Sequence, residues 1–110
     1  MLTEALMKEF ATLVPARLEA IDRESVVLVG TRAHKRARVE VAACDERMLK
    51  IARSIPVDGT LESVLALRNV VAEFHDYGRQ GCLTEQAQTP DDEMLAKLLG
   101  ALYELEKKRQ

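Results

Sequence analysis

The sequence predicts an all-α fold, a small helical bundle formed by a single domain over residues 1–110. Hydrophobic residues make up 47% of the chain but aromatic residues only 4%, and Trp is absent. A core of Leu, Val, Ala, Ile and Met suits helix packing better than a β-sandwich, which usually depends on aromatic and β-branched pairs. Apolar residues also recur every three to four positions, which is the spacing of one helix face. Three prolines stand where helices would begin, and no repeat or linker divides the chain.

The first predicted helix covers residues 3–13. Thr3 is a candidate N-cap, because its hydroxyl can accept a hydrogen bond from a free N–H of the first turn. Leu6, Phe10 and Leu13 follow at spacings of four and three and would share one buried stripe. Pro15 then ends the segment.

A long central helix is predicted over residues 16–54. The stripe runs from Leu18 to Ile55, 37 positions in ten steps, and its members are Leu18, Ile21, Ser25, Leu28, Ala33, Ala37, Val41, Cys44, Met48, Ile51 and Ile55. A continuous or Gly30-kinked helix of this length would measure about 57 Å, which is longer than a globule of this size is wide. It would therefore protrude or pair with a second copy, so a homodimer is predicted.

A β-hairpin at about residues 25–43 is the alternative for the middle of the chain, and it would make the fold α+β. Residues 26–29 form a short aliphatic run before Gly30, and residues 38–41 alternate polar and apolar side chains. Both patterns are typical of strands, here at residues 25–30 and 38–43, with a basic loop at residues 30–37.

The third helix is predicted over residues 60–77, after the turn at residues 56–60. Thr60 would cap it, Gly78 and Gly81 would end it, and residues 78–88 would form a loop carrying Cys82. The buried stripe comprises Leu61, Val64, Leu67, Val71 and Phe74.

The last helix is predicted over residues 89–108. Thr89 would cap it and Pro90 would take its first position, while acidic residues at its start and basic residues at its end complement the helix dipole. Its buried stripe would consist of Leu95, Leu98, Leu102 and Leu105. A short connection favours packing of the last two helices as a C-terminal antiparallel helical hairpin on the long helix.

A basic band is the candidate binding site, formed by Arg32, Lys35, Arg36 and Arg38. Residues 31–53 hold seven basic and three acidic residues, although the whole chain has a net charge of −2. Such a band can be a solvated face or can pair with the acidic helices of the same chain, and as a binding site it predicts contact with an acidic protein partner. A nucleic-acid-associated regulator is the alternative, disfavoured by the chain's pI of 5.7 and the lack of an aromatic residue within the band.

No residue set predicts catalysis, a cofactor or a metal site. His75 lies beside Glu73, Asp76 and Tyr77, but neighbouring positions on a helix point in different directions. His34 has no second ligand at helical spacing, Cys44 fits an apolar stripe, and Cys82 has no basic neighbour closer than Arg79 to lower its pKa. We therefore expect a non-enzymatic helical interaction module, an adaptor, chaperone-like subunit or inhibitor.

The compartment predicted from the sequence is the cytoplasm. Two cysteines are too few for a disulfide-rich secreted scaffold, and the first residues lack the basic start and apolar run of a signal peptide. No stretch approaches the roughly 20 apolar residues of a membrane span, so no membrane association is predicted.

Overall fold

The computed structural model describes residues 2–80 and 90–109, which form four α-helices. These are α1 (Leu2–Val26), α2 (Arg32–Ser54), α3 (Leu61–Gln80) and α4 (Pro90–Arg109). The prediction of an all-α bundle is confirmed. The alternative β-hairpin at residues 25–43 is wrong, because helices cover residues 2–26 and 32–54 and the described residues contain no strand. Residues 33–54 are rich in strong helix formers, and this propensity outweighs the short alternation at residues 38–41.

The single long helix over residues 16–54 is also wrong, because a turn at residues 27–31 divides it. The Thr31 N–H donates to the Leu28 carbonyl at 3.3 Å, and Gly30 between them has φ +89°. Positive φ at the third position of a turn is readily adopted only by glycine. The Thr31 hydroxyl then accepts a hydrogen bond from the His34 N–H at 3.2 Å and caps α2. The chain thus reverses its direction at Gly30, and Thr31 caps the helix that follows.

Residues 3–13 and 16–26 belong to one helix instead of two, because α1 continues through Pro15. Proline has no N–H, so the Ala11 carbonyl loses its usual helical donor. Both Pro15 and Ala11 are exposed, and water can reach that carbonyl. Thr3, expected as the N-cap, lies inside the first turn and is buried.

The helices form two antiparallel hairpins. In the first, Arg47 of α2 contacts Glu9 near the start of α1, whereas Arg23 near the end of α1 contacts Glu40. In the second, Lys108 at the end of α4 donates to the Asp58 carbonyl just before α3. The α3–α4 pair therefore has the predicted antiparallel arrangement.

One apolar core joins the two hairpins. Its members from α1 and α2 are Phe10, Met48, Leu49, Ile51 and Ala52, with Leu6, Met7, Leu13 and Val14 packed at its edge. No residue of α1 after Val14 and none of α2 before Met48 belongs to it. Residues 16–45, here called the arm, thus extend beyond this core as a two-helix projection. The described part of the molecule measures 58 × 25 × 15 Å.

The predicted stripe of the central segment is buried only in part. Ala37, Val41, Met48, Ile51 and Ile55 are buried, whereas Leu18, Ser25, Leu28 and Ala33 are exposed. Helix periodicity correctly identified the face that α2 turns toward α1. It overestimated burial near the turn, because no third helix of the described residues covers the arm there.

The α3 stripe is largely confirmed, since Val64, Leu67 and Phe74 are in the core, but Leu61 is exposed. Thr60 caps α3 as predicted, its hydroxyl accepting from the Ser63 N–H at 3.3 Å. The helix runs past Gly78 to Gln80, three residues beyond the predicted end. The predictions for Gly81, Cys82 and Thr89 fall outside the described residues.

In α4 the buried face is displaced from the predicted leucine stripe. Met94 and Ala101 are buried and Leu98 and Leu105 are half-buried, whereas Leu95 and Leu102 are exposed. The helix begins at Pro90 as predicted. The four leucines lie on adjacent faces of the helix, so burying one pair leaves the other pair at the surface.

Candidate partner-binding site at the tip of the arm

Small apolar residues and one buried ion pair hold the arm together. Ala20 of α1 and Ala37 and Val41 of α2 are buried between the two helices. Nearer the core, the Arg17 guanidinium donates to the Asp45 carboxylate, and both side chains have no exposed surface. A buried pair of this kind tolerates few other alignments, since moving either helix would leave a charge without a partner. The pair therefore sets the register of α1 against α2.

Exposed ion pairs continue along the arm. Arg23 pairs with Glu40, and Arg47 donates to both carboxylate oxygens of Glu9 at 2.9 and 2.6 Å. This bidentate hydrogen bond lowers the pKa of Glu9 and raises that of Arg47. Exposed pairs add little stability one by one, but they favour the same register as the buried pair.

Arg38 takes part in these ion pairs between α1 and α2, unlike the other three residues of the basic band. Its Nε lies 3.7 Å from Glu24 Oε1 in α1, and His34 Nε2 lies 3.5 Å from the same oxygen. Of the predicted binding residues, Arg38 is therefore partly neutralised by an intramolecular carboxylate. Its availability to a partner is lower than the sequence predicted.

Arg32, Lys35 and Arg36 lie together at the start of α2. Their spacing places them within about 100° of the helix surface, and all three are exposed. None has an ion-pair partner among the described residues. Residues 25–39 contain no acidic side chain at all. These three cations, here called the basic triad, form a local concentration of positive charge.

The helix dipole adds to this charge. The first turn of α2 contains no acidic residue, although acidic side chains stabilise the positive N-terminal end of a helix and basic ones destabilise it. Arg32 occupies the first helical position and Lys35 follows one turn later. Glu24 of α1 lies near His34 in this turn, but Arg32 and Lys35 have no ion-pair partner among the described residues. Their positions are thus electrostatically unfavourable, and an anionic group of a partner would relieve this.

An apolar cap lies directly beside the basic triad. Val26, Leu28 and Val29, here called the apolar cap, are 81%, 79% and 85% exposed. The hydrogen-bonded turn at Gly30 holds Leu28 and Val29 at the end of the arm. Val26 also borders a groove between the two helices, which is lined in addition by Arg23, Val27, Ala33, Arg36, Ala37 and Glu40. The tip therefore combines a defined aliphatic projection with positive charge on one side.

Sequence reasoning found the basic triad but missed the apolar cap. The sequence predicts that the aliphatic run at residues 26–29 belongs to a helix stripe or to a strand. Either prediction places these side chains in the interior. The signal that identifies the turn is Gly30 followed by Thr31, since glycine commonly ends a helix and threonine commonly caps the next one.

The remaining candidate groups are dispersed. His75 and Asp76 are exposed on α3, far along the chain from the tip. Burial raises the pKa of the Cys44 thiol, which disfavours the reactive thiolate. The described residues contain no group of three or more His, Cys, Asp or Glu side chains placed to hold a metal ion. Nor is any described helix both long and apolar enough to cross a membrane.

Comparison of the chain with protein-family models, with curated proteins and with solved structures found no match in any of the three.

Proposed function

We propose that this chain is a non-enzymatic helical interaction module that docks the tip of its arm onto a partner protein. The partner surface would be an apolar pocket rimmed by Asp or Glu side chains. One observation carries the proposal: three exposed cations without ion-pair partners among the described residues lie beside three exposed aliphatic side chains at the same end of the arm.

The apolar cap supplies most of the expected affinity. Complete burial of one Val or Leu side chain contributes about 1.5–3 kcal/mol, and the three side chains are nearly fully exposed before binding. The basic triad contributes mainly to the association rate and to specificity, because charge complementarity steers encounters and disfavours wrong partners. The turn is already hydrogen-bonded, so little ordering is needed when it docks.

A protein partner fits the tip better than nucleic acid, which remains the second candidate class. The apolar cap would face solvent or phosphates on a nucleic acid, and residues 25–39 contain no Phe, Tyr or Trp to stack on bases. An anionic membrane surface is also less favoured, because the tip lacks the Trp and Tyr residues enriched at membrane interfaces.

Site-specific crosslinking is the first step of the test. A photo-reactive amino acid replaces Leu28 in the full chain, the partner captured in cells is identified, and it is then purified. Its affinity is measured for the wild type, for a Leu28→Ser variant and for a triple variant in which the basic triad becomes Glu. Leu18→Ser is the matched control, because Leu18 is an exposed leucine of the same arm outside the tip.

Loss of affinity of at least about tenfold in both tip variants, with the control unchanged, is the expected result. The triple variant should also lose the salt dependence of binding. Equal binding by all variants would overturn the proposal. The proposal would also be overturned if the wild-type chain bound duplex DNA or vesicles of anionic phospholipid at low salt but bound the purified partner protein only weakly.

We also propose a cytoplasmic location and a homodimer, neither of which depends on docking of the arm tip. The free thiol of Cys44 is compatible with a reducing compartment, and cell fractionation of the full chain tests the location. The homodimer does not form through a continuous 16–54 helix, because the turn at residues 27–31 divides that segment.

A further inference from the structure

An uncovered apolar face on α4 lies well away from the arm tip in the sequence and is unrelated to the basic triad. Its members are Leu95, Leu99, Leu102 and Tyr103, with exposed fractions of 42–67%. Spacings of four, three and one place them on one continuous side of the helix, next to the face formed by Met94 and Ala101 that enters the core. Single exposed leucines are ordinary in proteins, but four large side chains on one helix face are typical of a contact surface.

Among residues 2–80 and 90–109, no other element covers this face. The opposite side of α4 contacts α2, where Glu93 pairs with Arg53 and Lys97 Nζ donates to the Ala52 and Arg53 carbonyls at 2.9 and 2.8 Å. Residues 81–89, which precede the helix, contain only one large aliphatic side chain, Leu83. That single leucine is too little apolar surface to match four.

Charge placement on α4 favours a second copy of the same helix. The helix starts with Asp91 and Asp92 and ends with Lys107 and Arg109. Glu93 and Lys108, which lie among them, are already engaged within the chain by Arg53 and the Asp58 carbonyl. In an antiparallel pair of identical helices the acidic start of each copy lies opposite the basic end of the other, and the two helix dipoles are also antiparallel. A two-fold pairing centred near Leu99 would bring Asp92 of one copy opposite Lys107 of the second.

Space at the edge of this face is available. Gly100 lies about 100° around the helix from Leu99, at the margin of the apolar face, and a methyl group added there would meet nothing within 4 Å. A second helix on the apolar face would therefore meet no obstruction from this side of α4.

We infer that the chain forms a two-fold homodimer through antiparallel contact of α4, with Leu99 near the symmetry axis. The inference does not depend on partner binding at the arm tip. Each interface can therefore fail without the other.

Sedimentation equilibrium of the full chain over roughly 1–300 µM tests the dimer, on the micromolar scale that a small interface supports. The wild type is expected to show a monomer–dimer equilibrium, and Leu99→Asp is expected to weaken it by at least about 100-fold, the order expected when an unpaired charge replaces a buried leucine. Leu18→Asp is the matched control, since it places the same charge on a half-exposed leucine of the arm and should leave the dimer intact. Far-ultraviolet circular dichroism checks that all three proteins keep the same helix content.

Disulfide crosslinking tests the direction of pairing in a background with Cys44 and Cys82 replaced by Ser. Leu99→Cys is expected to crosslink with itself, and Asp92→Cys with Lys107→Cys when the two variants are mixed. A wild type that stays monomeric throughout, or equal loss of the dimer in Leu99→Asp and Leu18→Asp, would overturn the inference. Self-crosslinking by Asp92→Cys, without the mixed product, would overturn the antiparallel arrangement.

Discussion

Reversing the charge of Arg32 is expected to stabilise the fold while it weakens partner binding. Arg32 is the first residue of α2, and the first turn of this helix contains no acidic residue of its own to offset the positive end of the helix dipole. A cation at that position costs about 0.3–1 kcal/mol and an anion contributes a similar amount. Arg32→Glu should therefore raise the free energy of unfolding by about 0.6–2 kcal/mol. Arg and Glu have similar helix propensities, so the backbone adds little to the difference.

Lys50→Glu is the matched control for this change. It alters the net charge by the same amount on the same helix, but Lys50 lies near the C-terminal end of α2, where a cation is slightly favourable. Its replacement should leave the stability unchanged or lower it slightly. A difference in sign between the two variants would separate the helix dipole from any effect of overall charge.

Urea denaturation followed by circular dichroism at low salt measures both variants. For a chain of this size 1 kcal/mol corresponds to roughly 4 °C in the thermal midpoint, so heating gives an independent reading. The gain from Arg32→Glu should shrink in 1 M salt, where the screening length falls to about 3 Å. Equal stability of wild type and Arg32→Glu at low salt would refute the reasoning, because Arg32 would then not lie at an uncompensated helix end.

Three further predictions concern the arm and the core. Arg17→Ala leaves the Asp45 carboxylate buried and should cost about 3–5 kcal/mol in urea denaturation, whereas Arg17→Met combined with Asp45→Leu should retain most of the stability; equal losses in the two variants would contradict this. Met48→Asp places a charge in the core and should abolish the cooperative thermal transition, since total stabilities are only about 5–15 kcal/mol; a folded variant would show that Met48 is not buried. Arg47 lowers the pKa of Glu9 below its ordinary 4.5, so the stability that the pair provides is present above that value and is lost as the pH falls through the lowered pKa. Acid titration should thus show a smaller loss of folding stability for Glu9→Gln than for wild type. Parallel titration curves for the two proteins would argue against the pair.

Helix periodicity predicted the elements better than it predicted their burial. It identified the helix faces around Val41, Met48 and Leu67 correctly, because the same spacing determines both the face of a helix and its contacts. It assigned Leu28 and Leu95 to the interior, although both are exposed. Spacing reports which side chains share a face, but not whether another element exists to cover that face.

Polar interior groups were beyond sequence reasoning for a different reason. Arg17 and Asp45 are 28 positions apart, and each is costly to bury alone. Only the antiparallel alignment of α1 and α2 brings them together, and that alignment depends on the turn at Gly30. If Gly30 only kinks one continuous helix, Arg17 and Asp45 lie far apart along that helix and cannot pair.

The basic triad, in contrast, was visible from the sequence, because charge density does not depend on tertiary contacts. The structure divides the predicted basic band: Arg38 lies 3.7 Å from a Glu24 oxygen, whereas Arg32 has no ion-pair partner among the described residues. Two arginines of the same band thus have different electrostatic environments, which the adjacent helix determines.

The way the arm is stabilised explains why its tip can carry groups that oppose folding. The arm is held by Ala20, Ala37 and Val41, by the buried Arg17–Asp45 pair and by exposed ion pairs, and all of these lie between the tip and the core or along the helix contact. Residues of the apolar cap contribute little to folding because they remain in water. The cations at the start of α2 have a small cost that the rest of the arm can sustain. In the proposed complex this cost would be offset, because a carboxylate and an apolar pocket of the partner would meet the same end of the arm.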